Sequence, residues 1–232
     1  MSNTRPNPRL TLVRHGQASL GSADYDQLSP MGQQQSLALA ERLAAELEDD
    51  AANWRGSLKR HAQTLEHLNR PRQAEVEPAL NEYAVDHLVQ AAVAQAHSLG
   101  LTPPDVAALA DPVQFLQVFL DWFPDVLSCW QQARLIDAHN GTWTDFHQRV
   151  RSPIPRWQQQ LQGGQSVLVV TSAGVISTVL AELLGEDLAW QRQTNVDLYN
   201  ASVSIVEWHQ SRWQLCQLNC TAHLSANQRT MA

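Results

Sequence analysis

The stretch SVLVVTSAGVISTVLAELLGE, residues 166–186, constrains the architecture of this chain more than any other. It reads as an apolar strand, a tight turn at Ser172 and a helix that Gly185 closes. Strands that hand over to helices in this way build a mainly parallel sheet, which gathers ligands at the carboxyl ends of its strands. The same handover occurs early, in RLTLVRHGQASL (residues 9–20), where the apolar run Leu10–Val13 stops at Arg14-His15-Gly16. Both turns therefore fall where a shared site would lie.

The remaining segments fit this frame. Ser29 as N-cap, Pro30 at the first helical position and Leu37, Ala40, Ala44 and Leu47 at helical spacing predict a helix over 29–48. AANWRGSLKRHAQTLEHL predicts a short strand near Trp54, a loop at Gly56-Ser57 and a helix capped by Ser57. A strand at Ala74–Glu77 should break at Pro78 and run into a loop. Alternation in SVSIVEW and RWQLCQL predicts a closing antiparallel hairpin across His209–Ser211. The expected fold class is α/β: a mainly parallel sheet flanked by helices, in a single domain over 1–232. A helical insertion at about 85–140 would cover the carboxyl ends of the strands.

Composition removes several function classes. With 44% apolar and 17% charged residues the chain is globular. Its net charge is −7, Lys59 is its only lysine, and it has no basic run, so no nucleic-acid partner is expected. No apolar stretch approaches the roughly 18 residues a membrane span needs, so no membrane partner is expected either. Cys129, Cys216 and Cys220 lack zinc spacing and read as free thiols of a reducing cytoplasm, the expected location.

LVRHGQAS resembles the signature of the histidine phosphatase superfamily, the phosphoglycerate mutase-like fold. GSLKRHAQT is similar to that family's Ser-x-Leu-x-Arg-Ala-x-x-Thr segment, LNEYAVDH to its Leu-x-Glu loop, and VVTSAGVIS to its Val-x-His-Gly-Gly turn. The resemblance implies hydrolysis of a small phosphomonoester through a phosphohistidine, with no metal and no cofactor. His15 would be the nucleophile, since a neutral imidazole has a lone pair at physiological pH. Its other nitrogen would donate to a main-chain carbonyl, and Gly16 would let the backbone turn closely behind the ring. Arg14 and Arg60 would clamp the phosphoryl oxygens, Glu82 would act as acid and then base, and Gln17 would bond a phosphoryl oxygen or the leaving group.

Two departures stand out. The family's serine four residues before the arginine is Gly56 here, and its second histidine and the glycine after it are Ser172 and Ala173. Ser172 keeps a hydroxyl, and the turn keeps backbone N–H groups for the phosphate. Its reach is shorter than that of an imidazole, so a water or a side chain such as His87 would have to bridge the gap. The other histidines, His61 among them, read as surface or structural. The alternative is a pseudo-phosphatase that binds a phosphorylated ligand without turnover. Between Ala84 and Asn140, Arg134 is the only basic residue against six aspartates, a net −5. That charge disfavours a polyanionic substrate. Phe115, Phe119, Trp122, Phe123 and Trp130 would make the cover apolar, or else form the insertion's own core or a homodimer contact.

Overall fold

The computed structural model describes residues 7–19, 24–70, 72–105, 112–209 and 212–231, and of 112–119 the backbone only. Among these residues lies a six-stranded sheet of order β3-β2-β4-β1-β5-β6. The strands are β1 (Arg9–Arg14), β2 (Ala52–Arg55), β3 (Glu75–Val76), β4 (Val167–Thr171), β5 (Val203–His209) and β6 (Arg212–Cys220). β4 runs parallel to β1 and β2, and β2 parallel to β3, while β5 and β6 are antiparallel. The register sets Arg14 opposite Thr171, so the turns after β1 and β4 leave the sheet side by side. Residues 210 and 211 of the closing hairpin lie outside the described residues.

Both faces of the sheet are covered, which explains why all five residues of β4 are buried. Leu168 and Val170 join Val13 under α1 (Pro30–Glu46) and α2 (Lys59–His67). Val167 and Val169 join Leu10, Leu12 and Trp54 on the opposite face. There they meet helices α3 (Val85–Ala94), α5 (Pro112–Gln131), α6 (Trp143–Arg151), α7 (Ile154–Gln162) and α8 (Ala173–Leu184). A short α4 (Ala96–Leu99) follows α3, and α9 (Leu188–Asp197) packs on α8. No helix among the described residues is long and apolar enough to cross a membrane.

Two expectations need correction, and a third point is decided between alternatives. α1 starts as expected, with the Ser29 side chain accepting from Gly32 N–H, but its phase differs. Leu39 and Leu43 face the core, whereas Leu37 is 54% exposed, because Gly32, Gln35 and Ser36 are buried and turn the stripe. Ser57 does not cap α2; it pairs with Asn81, which accepts from its N–H at 2.7 Å and donates to its Oγ at 2.7 Å. Trp122, Phe123 and Trp130 are core residues, buried in one cluster with Leu10, Leu12 and Trp54 of the sheet, and Tyr83 contacts Phe123 and Trp130. The side chains of Phe115 and Phe119 lie outside the described residues.

Candidate active site

His15 follows β1 directly and is held from three sides. Its N–H donates to the Thr171 carbonyl at 2.9 Å, and its carbonyl accepts from Ala201 at 3.1 Å. Its ring Nδ1 lies 2.7 Å from the Gly16 carbonyl, which can only accept, so the ring proton sits on Nδ1 and the lone pair on Nε2. Gly16 is needed for close approach: a Cβ there would fall 2.4 Å from the Gly32 carbonyl oxygen. Its N–H donates to Thr64 Oγ1 at 3.0 Å, which is the task of the threonine that ends the GSLKRHAQT segment. Burial, the Arg60 charge, His61 and Arg14 hold the His15 pKa well below the ordinary 6.5. The imidazole is therefore neutral at neutral pH.

Both arginines reach this ring's surroundings. Arg60 is nearly buried; its Nε donates to His15 Nε2 at 3.1 Å and its Nη1 pairs with Asp26 at 2.7 Å. Asp26 also accepts from the Lys59 N–H at 2.9 Å, which fixes the start of α2. The Arg14 Nη1 donates to the Leu198 carbonyl, while its Nε is buried with no hydrogen-bond partner among the described residues. Burial lowers the Arg14 pKa to about 10, with the positive charge of Arg60 acting in the same direction. The guanidinium keeps its charge at neutral pH. Two cations beside a neutral imidazole make a pocket that a phosphoryl dianion would relieve.

Glu82 is carried in by a loop with its own scaffold. Pro78–Leu80 forms a 3-10 turn, Thr171 Oγ1 donates to the Leu80 carbonyl at 2.6 Å, and Arg149 Nη1 donates to the carbonyls of Ala79 at 2.8 Å and Asn81 at 2.9 Å. The carboxylate accepts from the Gly174 N–H at 2.8 Å, in the first turn of α8. Desolvation raises the Glu82 pKa above its usual 4.5, opposed by the Gly174 N–H and the Arg60 charge. A carboxyl whose pKa is raised holds its proton to higher pH than a free glutamate.

Ser172 ends the β4 turn, is buried, and makes no cap bond to α8. Its Oγ instead lies 2.8 Å from Nε2 of His61. His61, expected at the surface or in a structural role, is fully buried, with its ring centroid 5.5 Å from that of His15. His61 is one of the three buried residues of α2 with Arg60 and Thr64, and its partner Ser172 is remote in sequence, so no local pattern marks it. His87 is not the bridging group; it is exposed and stacks on His139. Ala173 opens α8 and is buried. Gln17 Oε1 accepts from Ser29 Oγ at 2.9 Å, toward the start of α1. Of the expected site residues, His15, Arg14, Arg60, Glu82 and Ser172 converge at one point, and Asp26, Thr64 and His61 join them.

Comparison with known proteins matches the chain to a family model and to solved structures of the same fold. A family model described as the histidine phosphatase superfamily (branch 1) covers residues 10–100 and 114–221. No curated protein matches the chain. Among solved structures, a mycobacterial glucosyl-3-phosphoglycerate phosphatase complexed with inorganic phosphate superposes with a TM-score of 0.63 at 21% identity, covering 94% of this chain and 100% of that one. A phosphoserine phosphatase mutant from Entamoeba histolytica, complexed with phosphoserine, gives a TM-score of 0.63 at 15% identity, covering 94% and 100%. A structure named mycobacterial hydrolase 2 gives 0.64 at 22% identity, covering 95% and 94%.

Proposed function

This chain belongs to the histidine phosphatase superfamily, branch 1, and on that premise we propose that it hydrolyses a small phosphomonoester through a phosphohistidine at His15. One observation carries the reading: the His15 proton is fixed on Nδ1 by the Gly16 carbonyl, which leaves the Nε2 lone pair facing Arg60.

In the free site, Arg60 Nε–H covers that lone pair. An incoming phosphoryl oxygen takes this N–H, and the bond to Asp26 keeps the guanidinium in place as it does so. Nε2 then attacks phosphorus in line with the leaving oxygen, forming the N–P bond as the P–O bond breaks. Glu82, as the acid, gives its proton to the departing oxygen. Water next attacks phosphorus, the Glu82 carboxylate takes the water's proton, and the N–P bond breaks to return the lone pair to Nε2. Inorganic phosphate and an alcohol leave, and the protons balance. Arg14 and Arg60 meet the equatorial oxygens, where charge is concentrated through both steps.

The competing reading, a pseudo-phosphatase that holds a phosphate without turnover, is favoured only by Ser172. Incubation with p-nitrophenyl phosphate beside a His15→Ala control separates the two. Acid-labile phosphate on His15 and its loss in the control are the expected result; a full rate in His15→Ala would overturn the mechanism.

A further inference from the structure

We infer that His61 supplies, from α2, the imidazole that the β4 turn lacks: it holds Ser172 as an aimed hydroxyl donor to the phosphoryl group on His15. The inference rests on the phosphatase reading above.

Three observations converge on it. The first is where the Ser172 hydroxyl goes. A serine at a helix N-cap ordinarily accepts from the backbone of the first turn. Ser172 occupies that position on α8 and makes no such bond; its Oγ is spent on His61 Nε2 at 2.8 Å.

The second concerns the proton on His61. Its Nδ1 is buried with no hydrogen-bond partner among the described residues, and it faces Gly56. A buried N–H with no acceptor is costlier than a lone pair against backbone, so the proton belongs on Nε2. Burial and the charges of Arg60 and Arg55 keep the ring neutral, with that single proton. Nε2–H therefore donates to Ser172 Oγ. Because a hydroxyl that accepts one bond donates more strongly in another direction, the Ser172 O–H is left to point at the phosphoryl oxygens. His61 is a positioning residue and Ser172 the group that touches the phosphate.

The third is the room His61 occupies. A Cβ at Gly56 would fall 2.3 Å from His61 Nδ1 and 2.7 Å from Asn81 Oδ1. The family pattern's serine at position 56 could not coexist with this imidazole. Where that pattern has serine, alanine and histidine, this chain has Gly56, His61 and Ser172. The three departures form one exchange of volume around one imidazole.

A kinetic cycle on p-nitrophenyl phosphate tests it, using wild type, His61→Ala, Ser172→Ala and the double variant, with His15→Ala in the same assay. Each single variant should lose about 10- to 10²-fold in kcat with KM changed less than twofold. The double should be no slower than the slower single, since residues acting as a unit lose their effect once. His61→Gln, whose amide can donate at the same point, should recover part of the loss, and it carries the cycle if His61→Ala does not fold. Losses that multiply, an unchanged kcat in His61→Ala, or a loss confined to KM would overturn the proposal. If the wild type shows no hydrolysis that depends on His15, the phosphatase reading fails on its own. Orthovanadate binding, measured by calorimetry, then reads the same cycle without turnover, and additive losses there would overturn the role of His61.

Discussion

The turns after β1 and β4 leave neighbouring strands and meet across His15, yet they are built by different routes. The β1 turn keeps each residue type in the place its chemistry needs: Arg14 and His15 in sequence, and Gly16 locked on Thr64 and α1. The β4 turn has Ser172 where the family pattern has a histidine, and α2, from another part of the chain, sets the His61 ring beside it. Attack on phosphorus needs a lone pair at one point along a line, and only a residue fixed to the strand tip supplies it. Donors to the phosphoryl oxygens need only an N–H or O–H within reach, and several elements can offer that. On the proposed mechanism the nucleophile's position is therefore the more tightly constrained of the two.

The strongest way to break this comparison is to remove the fixed side. His15→Ala should lower kcat by about 10⁴-fold or more, since the proposed attacking lone pair goes with the ring. Survival of activity in a steady-state assay would mean that the β1 turn is not the reactive one. Arg60→Lys comes next, with an expected loss of about 10²-fold, because an ammonium cannot serve Asp26 and a phosphoryl oxygen in one plane. A variant with an unchanged rate constant would take Arg60 out of the clamp.

Glu82 sharpens the comparison through pH. His15 is held well below 6.5, so it stays neutral except in acid; Glu82 is raised above 4.5, so its proton is lost only as pH climbs through that higher value. The competent free enzyme has both groups uncharged, and kcat/KM should fall on the alkaline side as Glu82 ionises. Glu82→Gln should cost roughly 10- to 10²-fold and flatten that alkaline limb. A limb that survives the substitution would belong to another group.

Much of this is legible in the sequence. The strand–turn–helix runs at residues 9–20 and 166–186 mark both halves of the site, because apolar strands and capped helices obey local rules. The phase of α1 was not legible, since it depends on Gln35 and Ser36 being buried: Gln35 bonds the Thr230 side chain and Ser36 the Gly32 carbonyl. Nor was His61. Its partner Ser172 is 111 residues away, and only the pairing of β4 with β1 and β2 brings them together. Asp26, the anchor of Arg60, sits in a stretch without periodicity and left no signal at all.

Gly56 offers a gentler break. Gly56→Ala should displace the His61 ring, costing about 1–3 kcal/mol of stability and about tenfold in kcat. The same change in a His61→Ala background should cost much less, because the ring it collides with is gone. Thermal unfolding and steady-state rates on the two pairs of variants check both halves. Ser172→His alone should fail for the same reason of space, while Ser172→His with His61→Ala should outpace His61→Ala.

The smallest expected effect concerns the substrate's own charge. The segment from Ala84 to Asn140 begins where the Glu82 loop ends and is tied back to it, with Asn140 bonding both the N–H and the carbonyl of Ala84. Its six aspartates stand against Arg134 alone, and that guanidinium donates to the Leu99 carbonyl. Asp111 lies outside the described residues, but Asp86 is exposed in the first turn of α3, four residues from Glu82. Of the aromatics in the expected cover, Trp122, Phe123 and Trp130 are buried in the core shared with the sheet, and the side chains of Phe115 and Phe119 lie outside the described residues. The charge of the segment, a net −5 in sequence, carries the expectation that follows. A second anionic group on the substrate would approach this segment at a disadvantage, while an aryl monophosphate would not. We expect kcat/KM for p-nitrophenyl phosphate to exceed that for 3-phosphoglycerate by about three- to fivefold at low salt, with the gap narrowing as salt screens the aspartates. Asp86→Asn should narrow it in part. A gap indifferent to salt would assign the preference to shape, and conversion of 3-phosphoglycerate to its 2-isomer would require cations that this segment does not offer the site.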